Sequence, residues 1–104
     1  MSIGAPQYPD VRTLDMADAG VTLTVASASI QRLDANIAAG SGAEIVVLPA
    51  ESQGLEVRIV NTGGEDLTVN DDGGATILTV SSAEDAWLWC DGTAWQGTLA
   101  KITT

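Results

Sequence analysis

The chain has 104 residues, of which 14 are acidic and 4 are basic, so its formal net charge is −10, and it contains no histidine. This length corresponds to one domain. Nucleic-acid binding and attraction to anionic membranes both require clustered lysine and arginine, and the four basic residues here are scattered. The lack of histidine removes the commonest general base and most zinc sites. Binding and structural roles therefore remain.

The apolar content of 45% comes mainly from small and branched residues, with no Phe, three Trp and one Tyr. Large aromatic side chains contribute the most buried area per residue. We therefore expect a modest stability margin, for which association with copies of the same chain or with a partner is a natural supplement.

Residues 1–20 differ from the rest of the chain. Pro6 and Pro9 lie on either side of Tyr8, and a proline pushes the residue before it toward an extended conformation. The segment shows neither clear alternation nor a helical stripe. One interpretation is a frayed terminus with an early strand near 11–16.

The other interpretation of the same segment is an extended arm that lies on a neighbouring subunit. Its contact residues would be Ile3, Tyr8 and Leu14. On this interpretation the chain divides into an N-terminal arm, residues 1–20, and a β-sandwich domain, residues 21–104. Both interpretations remain open at the level of sequence.

The first half of the domain contains three candidate strands. Residues 21–25 alternate, which places Val21, Leu23 and Val25 on one face and two threonines on the other. Residues 30–37 are less regular and would also permit a helical turn. Residues 44–48 contain a run of apolar residues typical of a strand covered on both faces, and the proline that follows ends it.

The second half consists of short alternating stretches separated by turn residues. The sequence NTGGED at 61–66 predicts a hairpin between 55–60 and 67–69, and the turn at 70–74 leads into a strand at 77–80. No stretch predicts a convincing helix. The chain is therefore predicted to be all-β, a single small antiparallel β-sandwich of about eight strands.

The last predicted hairpin pairs 86–90 with 93–97 around Asp91-Gly92, a dipeptide suited to a two-residue type I′ turn. In that register Leu88 faces Trp95, while Trp87 and Trp89 point to the opposite face. Either Trp95 or the Trp87/Trp89 pair then lies near the outside, unless both faces of the sheet are covered. Because tryptophan is enriched in interface hot spots, the three tryptophans are candidate interface residues. Carbohydrate stacking would also require polar groups around a ring, which the sequence does not identify.

Few residues are suited to chemistry. Cys90, the only cysteine, lacks a basic neighbour that would activate it and is predicted to be a buried apolar residue. The carboxylate pairs Glu65-Asp66 and Asp71-Asp72 are of a type that binds hard cations or serves as catalytic groups in hydrolases. Turns, however, need the same residues for their own backbone hydrogen bonds. We therefore expect no catalytic residue, cofactor or metal.

The start of the chain shows no secretory signal, and no apolar run approaches the ~20 residues that span a bilayer. A single cysteine also excludes an intrachain disulfide. We therefore expect a protein made in a cytoplasm.

Four segments carry a resemblance to a known family: Leu33–Ala35 (LDA), Ile45–Ala50 (IVVLPA), Gly54–Asn61 (GLEVRIVN) and Asp91–Trp95 (DGTAW). Together they resemble a small β-domain of tailed-bacteriophage virions, over about residues 21–97. The family includes capsid decoration (cement) proteins and also domains of tail fibres or spikes.

The resemblance implies a trimeric, jelly-roll-like β-sandwich on the outside of a capsid. It implies a non-enzymatic role, in which the protein contacts the major capsid protein and stabilises the shell by bridging neighbouring capsid subunits. A chain of this length without a long fibre region favours head decoration. The alternative is a tail-fibre or spike module that binds a host-surface receptor or glycan. The first 20 residues match nothing in the pattern, which leaves the mode of attachment open.

Overall fold

The computed structural model describes residues 11–16, 20–27, 29–36 and 44–101. These residues form strands and no helix, so none of them belongs to a helix that could cross a membrane. The described chain is all-β, as the sequence predicted. The strands are β1 (Val11–Asp15), β2 (Val21–Thr22), β3 (Ile30–Asp34), β4 (Ile45–Val47), β5 (Glu56–Asn61), β6 (Leu67–Asn70), β7 (Thr76–Val80), β8 (Glu84–Cys90) and β9 (Trp95–Lys101).

The strands form a five-stranded sheet in the order β1-β3-β5-β8-β9 and a four-stranded sheet in the order β2-β4-β6-β7. The first six strands alternate between the two sheets. As a result β1, β3 and β5 are parallel neighbours, and so are β2, β4 and β6. The antiparallel pairs in the described residues are β5 with β8, β6 with β7, and β8 with β9.

The predicted antiparallel, jelly-roll-like sandwich of about eight strands is therefore wrong in strand direction, and the described residues contain nine strands. The cause is physical: alternation reveals which face of a strand is buried, but not the direction of its neighbour. The predicted hairpin across 61–66 is also wrong. That segment carries the chain from β5 in one sheet to β6 in the other.

The two sheets enclose a common core, which makes the fold sandwich-like. The five-stranded sheet contributes Leu33, Ile59 and Leu88, all fully buried, and the four-stranded sheet contributes Val46 and Val69 in the same way. Cys90 is only 3% exposed, which confirms its prediction as a buried apolar residue.

The two C-terminal hairpins are confirmed, with different bounds. β6 pairs with β7, and β8 pairs with β9 from Glu84↔Lys101 to Cys90↔Trp95. The two-residue turn at Asp91-Gly92 is wrong, because the connection also includes Thr93 and Ala94. The Asp91 carboxylate accepts hydrogen bonds from the backbone N–H groups of both residues, at 2.8 and 2.9 Å, which stabilises the longer loop.

The strands of the first half are shorter than predicted. β2 ends at Thr22, and Val25 is 73% exposed and does not lie on the core face. The chain leaves the sheet there because the hydroxyls of Thr24 and Ser27 accept backbone hydrogen bonds within a turn. In β4, Val46 is buried while its neighbours Ile45 and Val47 are half-buried, so the strand is not fully covered on both faces.

Part of the predicted N-terminal arm belongs to a sheet. β1 lies within residues 1–20 and pairs in parallel with β3, which confirms the early strand. Met16 follows it and is buried, and its backbone N–H donates to the carbonyl of Asp34 at 3.1 Å. Ile3 and Tyr8, the other two predicted contact residues of the arm, lie outside the described residues. The arm therefore stays a prediction for residues 1–10.

Candidate functional surface

The most distinctive surface lies on the outer face of the five-stranded sheet, where β8 carries two tryptophans. β8 alternates strictly: Ala86, Leu88 and Cys90 are buried in the core, and Trp87 and Trp89 point the other way. Trp87 is 44% exposed and Trp89 is half-buried. Neither the rest of the sheet nor the second sheet covers Trp87.

The two indoles contact each other. Their ring centroids are 4.8 Å apart and their planes are tilted by 36°. Aromatic pairs favour centroid separations of about 4.5–7 Å, so each ring limits the motion of the other. The pair therefore presents a preorganised aromatic surface.

Polar residues of the two neighbouring strands surround the pair. Residues directly opposite each other in a ladder share a face of the sheet. On that basis the indoles have four polar neighbours, two on β5 and two on β9: Glu56 opposite Trp89, Arg58 opposite Trp87, Gln96 opposite Trp89 and Thr98 opposite Trp87. All four are exposed. We call these six residues the tryptophan face.

The charges on this surface are unevenly distributed along the strands. Arg58 Nε lies 3.8 Å from Asp85 Oδ2, and this ion pair is located at the Trp87 end. Glu56, at the Trp89 end, forms no ion pair with another described residue. Asp91, two residues beyond Trp89, keeps its carboxylate ionised, because hydrogen bonds from the Ala94 and Thr93 N–H groups lower its pKa. The Trp89 end of the face is therefore negative.

Trp95 lies on the other side of the sheet. It is 5% exposed and its Nε1 donates to the carbonyl of Pro49 at 3.0 Å. The longer loop shifts the register by two residues, so Leu88 lies opposite Gly97 instead of Trp95. A shift of two preserves the faces of the sheet. The predicted division between Trp95 and the Trp87/Trp89 pair is therefore confirmed, with the pair outside.

The structure does not bring all predicted interface residues together. Trp87 and Trp89 are adjacent, whereas Leu14 lies on β1, at the far edge of the same sheet, half-buried against the protein's own core. The polar members of the tryptophan face were missed at the sequence level. The β8–β9 hairpin would have indicated Gln96 and Thr98 once its loop length was known, but the partners on β5 depend on a pairing across about 30 residues of sequence.

A cleft with a volume of about 200 Å³ lies at one end of the sandwich, between the turn after β2 and the segment before β5. Thr24, Ser27, Leu55, Glu56 and Trp95 are among its lining residues. Small-molecule sites usually have volumes of about 300–1,000 Å³. The cleft is therefore small for such a ligand.

The acidic turns serve their own backbone. Asp71 Oδ1 accepts hydrogen bonds from the N–H groups of Gly73 and Ala75, each at 2.9 Å. Within the described residues, no three Asp, Glu, Cys or His side chains lie close enough together to hold a metal ion.

No protein-family model matches this chain, and no curated protein matches it either. Among solved structures, the chain is similar to one described as the structure of a chaperone-substrate complex, with a TM-score of 0.54 and 16% sequence identity. The match covers 83% of this chain but only 16% of that one. At this identity the similarity concerns the fold alone: a similar fold occurs as a small part of a much longer chain.

Proposed function

We propose that this protein is a non-enzymatic structural protein of a tailed-bacteriophage virion, which decorates the outside of the capsid and stabilises it. Its partners would be the major capsid protein and further copies of itself, as a trimer. The observation that supports this proposal best is the exposed Trp87, in contact with Trp89 on the outer face of the five-stranded sheet. The sequence resemblance to virion β-domains supplies the biological setting.

Tryptophan pairs of this kind are suited to adhesion. An exposed indole is enriched among hot-spot residues, where truncation costs about 2 kcal/mol or more. The pair is held by an interior strand of the sheet, because β8 is hydrogen-bonded to β5 on one side and β9 on the other. A specific contact buries ~800 Å² per partner. Many such contacts on one shell, each modest, would resist internal pressure together.

The charge of the chain agrees with a position on the capsid exterior, after synthesis in the host cytoplasm. A net charge of −10 disfavours contact with the packaged genome or with anionic membranes. It also keeps a protein that is needed in many copies dispersed before assembly.

The test uses capsids assembled without this protein. Wild-type protein is added, co-sedimentation with the capsids gives the affinity, and heat-induced DNA release gives the stabilisation. We expect Trp87→Ala to weaken binding roughly 30-fold, the equivalent of about 2 kcal/mol. Thr79→Ala is the matched control, because Thr79 is exposed on the other sheet. Wild-type protein that neither binds nor protects the capsids would exclude the decoration role.

A tail-fibre or spike module that binds a host-surface glycan is the second candidate. The specific observation in its favour is the polar surround of the indoles, with Gln96 and Thr98 opposite Trp89 and Trp87. Sugar rings stack on tryptophan and use such groups for hydrogen bonds. Binding of labelled protein to host cells or to a glycan array, lost in Trp87→Ala, would support this candidate over the first.

A further inference from the structure

We infer that the tryptophan face receives a basic protein surface, in which an arginine or lysine side chain stacks on the indoles and pairs with Glu56. This inference rests on the proposed function, because it specifies the chemistry of the surface to which the protein attaches. It starts from the distribution of charge around Trp87 and Trp89.

The indoles are good acceptors for a cation. The face of a tryptophan ring attracts a cationic group within about 6 Å of its centroid, more strongly than Tyr or Phe. Trp87 is exposed, and Trp89, at 4.8 Å from it, extends the aromatic surface along the strand. A guanidinium is planar and stacks well on such a surface.

The distribution of charge favours binding of the cation at the Trp89 end of the tryptophan face. The arginine beside Trp87, Arg58, is already within ion-pair distance of Asp85. Arg32 lies on the same side of the sheet, outside the tryptophan face. It is opposite Val60, which is opposite Asp85, so both arginines lie toward the Trp87 end. Glu56 lies directly opposite Trp89, at the other end, and forms no ion pair with a described residue.

Charge complementarity therefore favours a basic partner. An incoming cation at the Trp89 end would contact an aromatic ring and an unpaired carboxylate at the same time. The net charge of −10 would also steer the whole molecule toward a positive surface, most strongly at low ionic strength. An acidic partner would meet repulsion, and a neutral glycan would leave Glu56 without a counter-charge.

The experiment compares Glu56→Gln with Glu65→Gln. Both variants remove one negative charge, but Glu65 lies in the loop that follows β5, at the opposite end of that strand from Glu56. Binding is measured on capsids lacking the protein, at several salt concentrations. We expect Glu56→Gln to weaken binding about three- to tenfold at low salt. The difference from wild type should vanish near ~1 M salt, where the Debye length falls to ~3 Å. Glu65→Gln should bind within about twofold of wild type.

A second arm uses no capsid. Tryptophan fluorescence is titrated with an arginine-rich peptide, with a glutamate-rich peptide and with a neutral polysaccharide. We expect only the first to change the emission, and Glu56→Gln and Trp89→Ala to weaken its effect.

The outcomes separate this inference from the proposed function. Capsid binding that is lost in Trp87→Ala but is insensitive to salt and to Glu56→Gln would overturn the basic partner and leave the decoration role intact. No capsid binding, together with Glu56-dependent binding of the arginine-rich peptide, would exclude the decoration role and support a basic partner elsewhere. Equal weakening by both glutamine variants, or binding of the polysaccharide instead of the peptide, would overturn the inference.

Discussion

One buried amide, that of Asn61, joins several parts of the fold. Asn61 lies at the end of β5 and has no exposed surface. Its Nδ2 donates to the carbonyls of Glu65 and Val80, at 2.7 and 2.9 Å, and its Oδ1 accepts from the Gly63 N–H at 2.9 Å. Since Val80 belongs to the other sheet, this side chain links the two sheets and shapes the connection between them.

We predict that Asn61→Ala destabilises the fold by about 2–4 kcal/mol. The substitution leaves two carbonyls and one N–H without their partner, and a buried polar group left unsatisfied costs about 1–3 kcal/mol. Asn61→Asp should also destabilise, because it retains the acceptor for Gly63 but loses both donors and buries a charge. Urea unfolding, followed by tryptophan fluorescence, measures the effect.

Thr62→Ala provides the control for Asn61, since the neighbouring Thr62 is exposed and bonds to Leu33 through its backbone N–H. It should lie within about 0.5 kcal/mol of wild type, as is usual at the surface. An Asn61→Ala variant of the same stability as Thr62→Ala would show that solvent replaces the amide at this position.

The tryptophans show how far residue-level prediction extends. A period of two is enough to place Trp87 and Trp89 on one face and Trp95 on the other. It does not reveal which face is buried, because that depends on where the second sheet lies. Tertiary contacts decide which face is buried: the Trp95 indole N–H donates to the Pro49 carbonyl, and the ring packs in the core.

At the scale of strands, the sequence predicted which segments form strands better than it predicted which strands pair with each other. The C-terminal hairpins are local, so the turn at 71–75 and the loop after Cys90 indicate their partners directly. The parallel pairs are different. β3 pairs with β5 across the whole of β4, and no local signal encodes such a pairing. The alternation of the chain between two sheets was therefore missed, although most of the strands were predicted.

Gly97, in β9, lies close to a side chain of the other sheet. Gly97 is opposite Leu88, and a Cβ atom at this position would lie 2.7 Å from Leu78 Cδ2 and 3.2 Å from Leu88 Cδ2. Leu78 belongs to β7, in the other sheet. A methyl group at this position would meet the ends of two leucine side chains, and at least that of Leu78 would have to shift to make room for it.

We predict that Gly97→Ala destabilises the fold by about 1–3 kcal/mol, the usual cost of overpacking a core. Leu78→Val should recover part of this loss in the double variant, because it shortens the side chain by one carbon on the side of the clash, and residues in contact are coupled. Gly64→Ala is the control, since a Cβ there would meet nothing within 4 Å. Thermal unfolding measures wild type, Gly97→Ala, Leu78→Val, the double variant and Gly64→Ala, and additive losses in the double variant would contradict the clash.

The whole molecule combines two kinds of topology. From β1 to β6 the chain passes back and forth between the sheets, and each strand pairs with one that is distant in sequence, such as Val21 with Val46 and Ile30 with Arg58. From β6 to β9 it forms local hairpins, β6–β7 and β8–β9. The entropy of loop closure opposes these non-local parallel pairs until one strand of each pair is already held in a sheet.

We therefore predict that folding takes milliseconds to seconds, as in other β-proteins rich in non-local pairs, and that the hairpins form before the parallel strands. Leu88→Ala, in β8, should slow folding, with a φ-value of about 0.5–0.8. Val21→Ala, in β2, should mainly accelerate unfolding, with a φ-value of about 0–0.3. Both residues are buried in the same core, so the comparison isolates topology from burial. Stopped-flow tryptophan fluorescence measures both rates. A higher φ-value at Val21 than at Leu88 would mean that the parallel strands pair before the hairpins form.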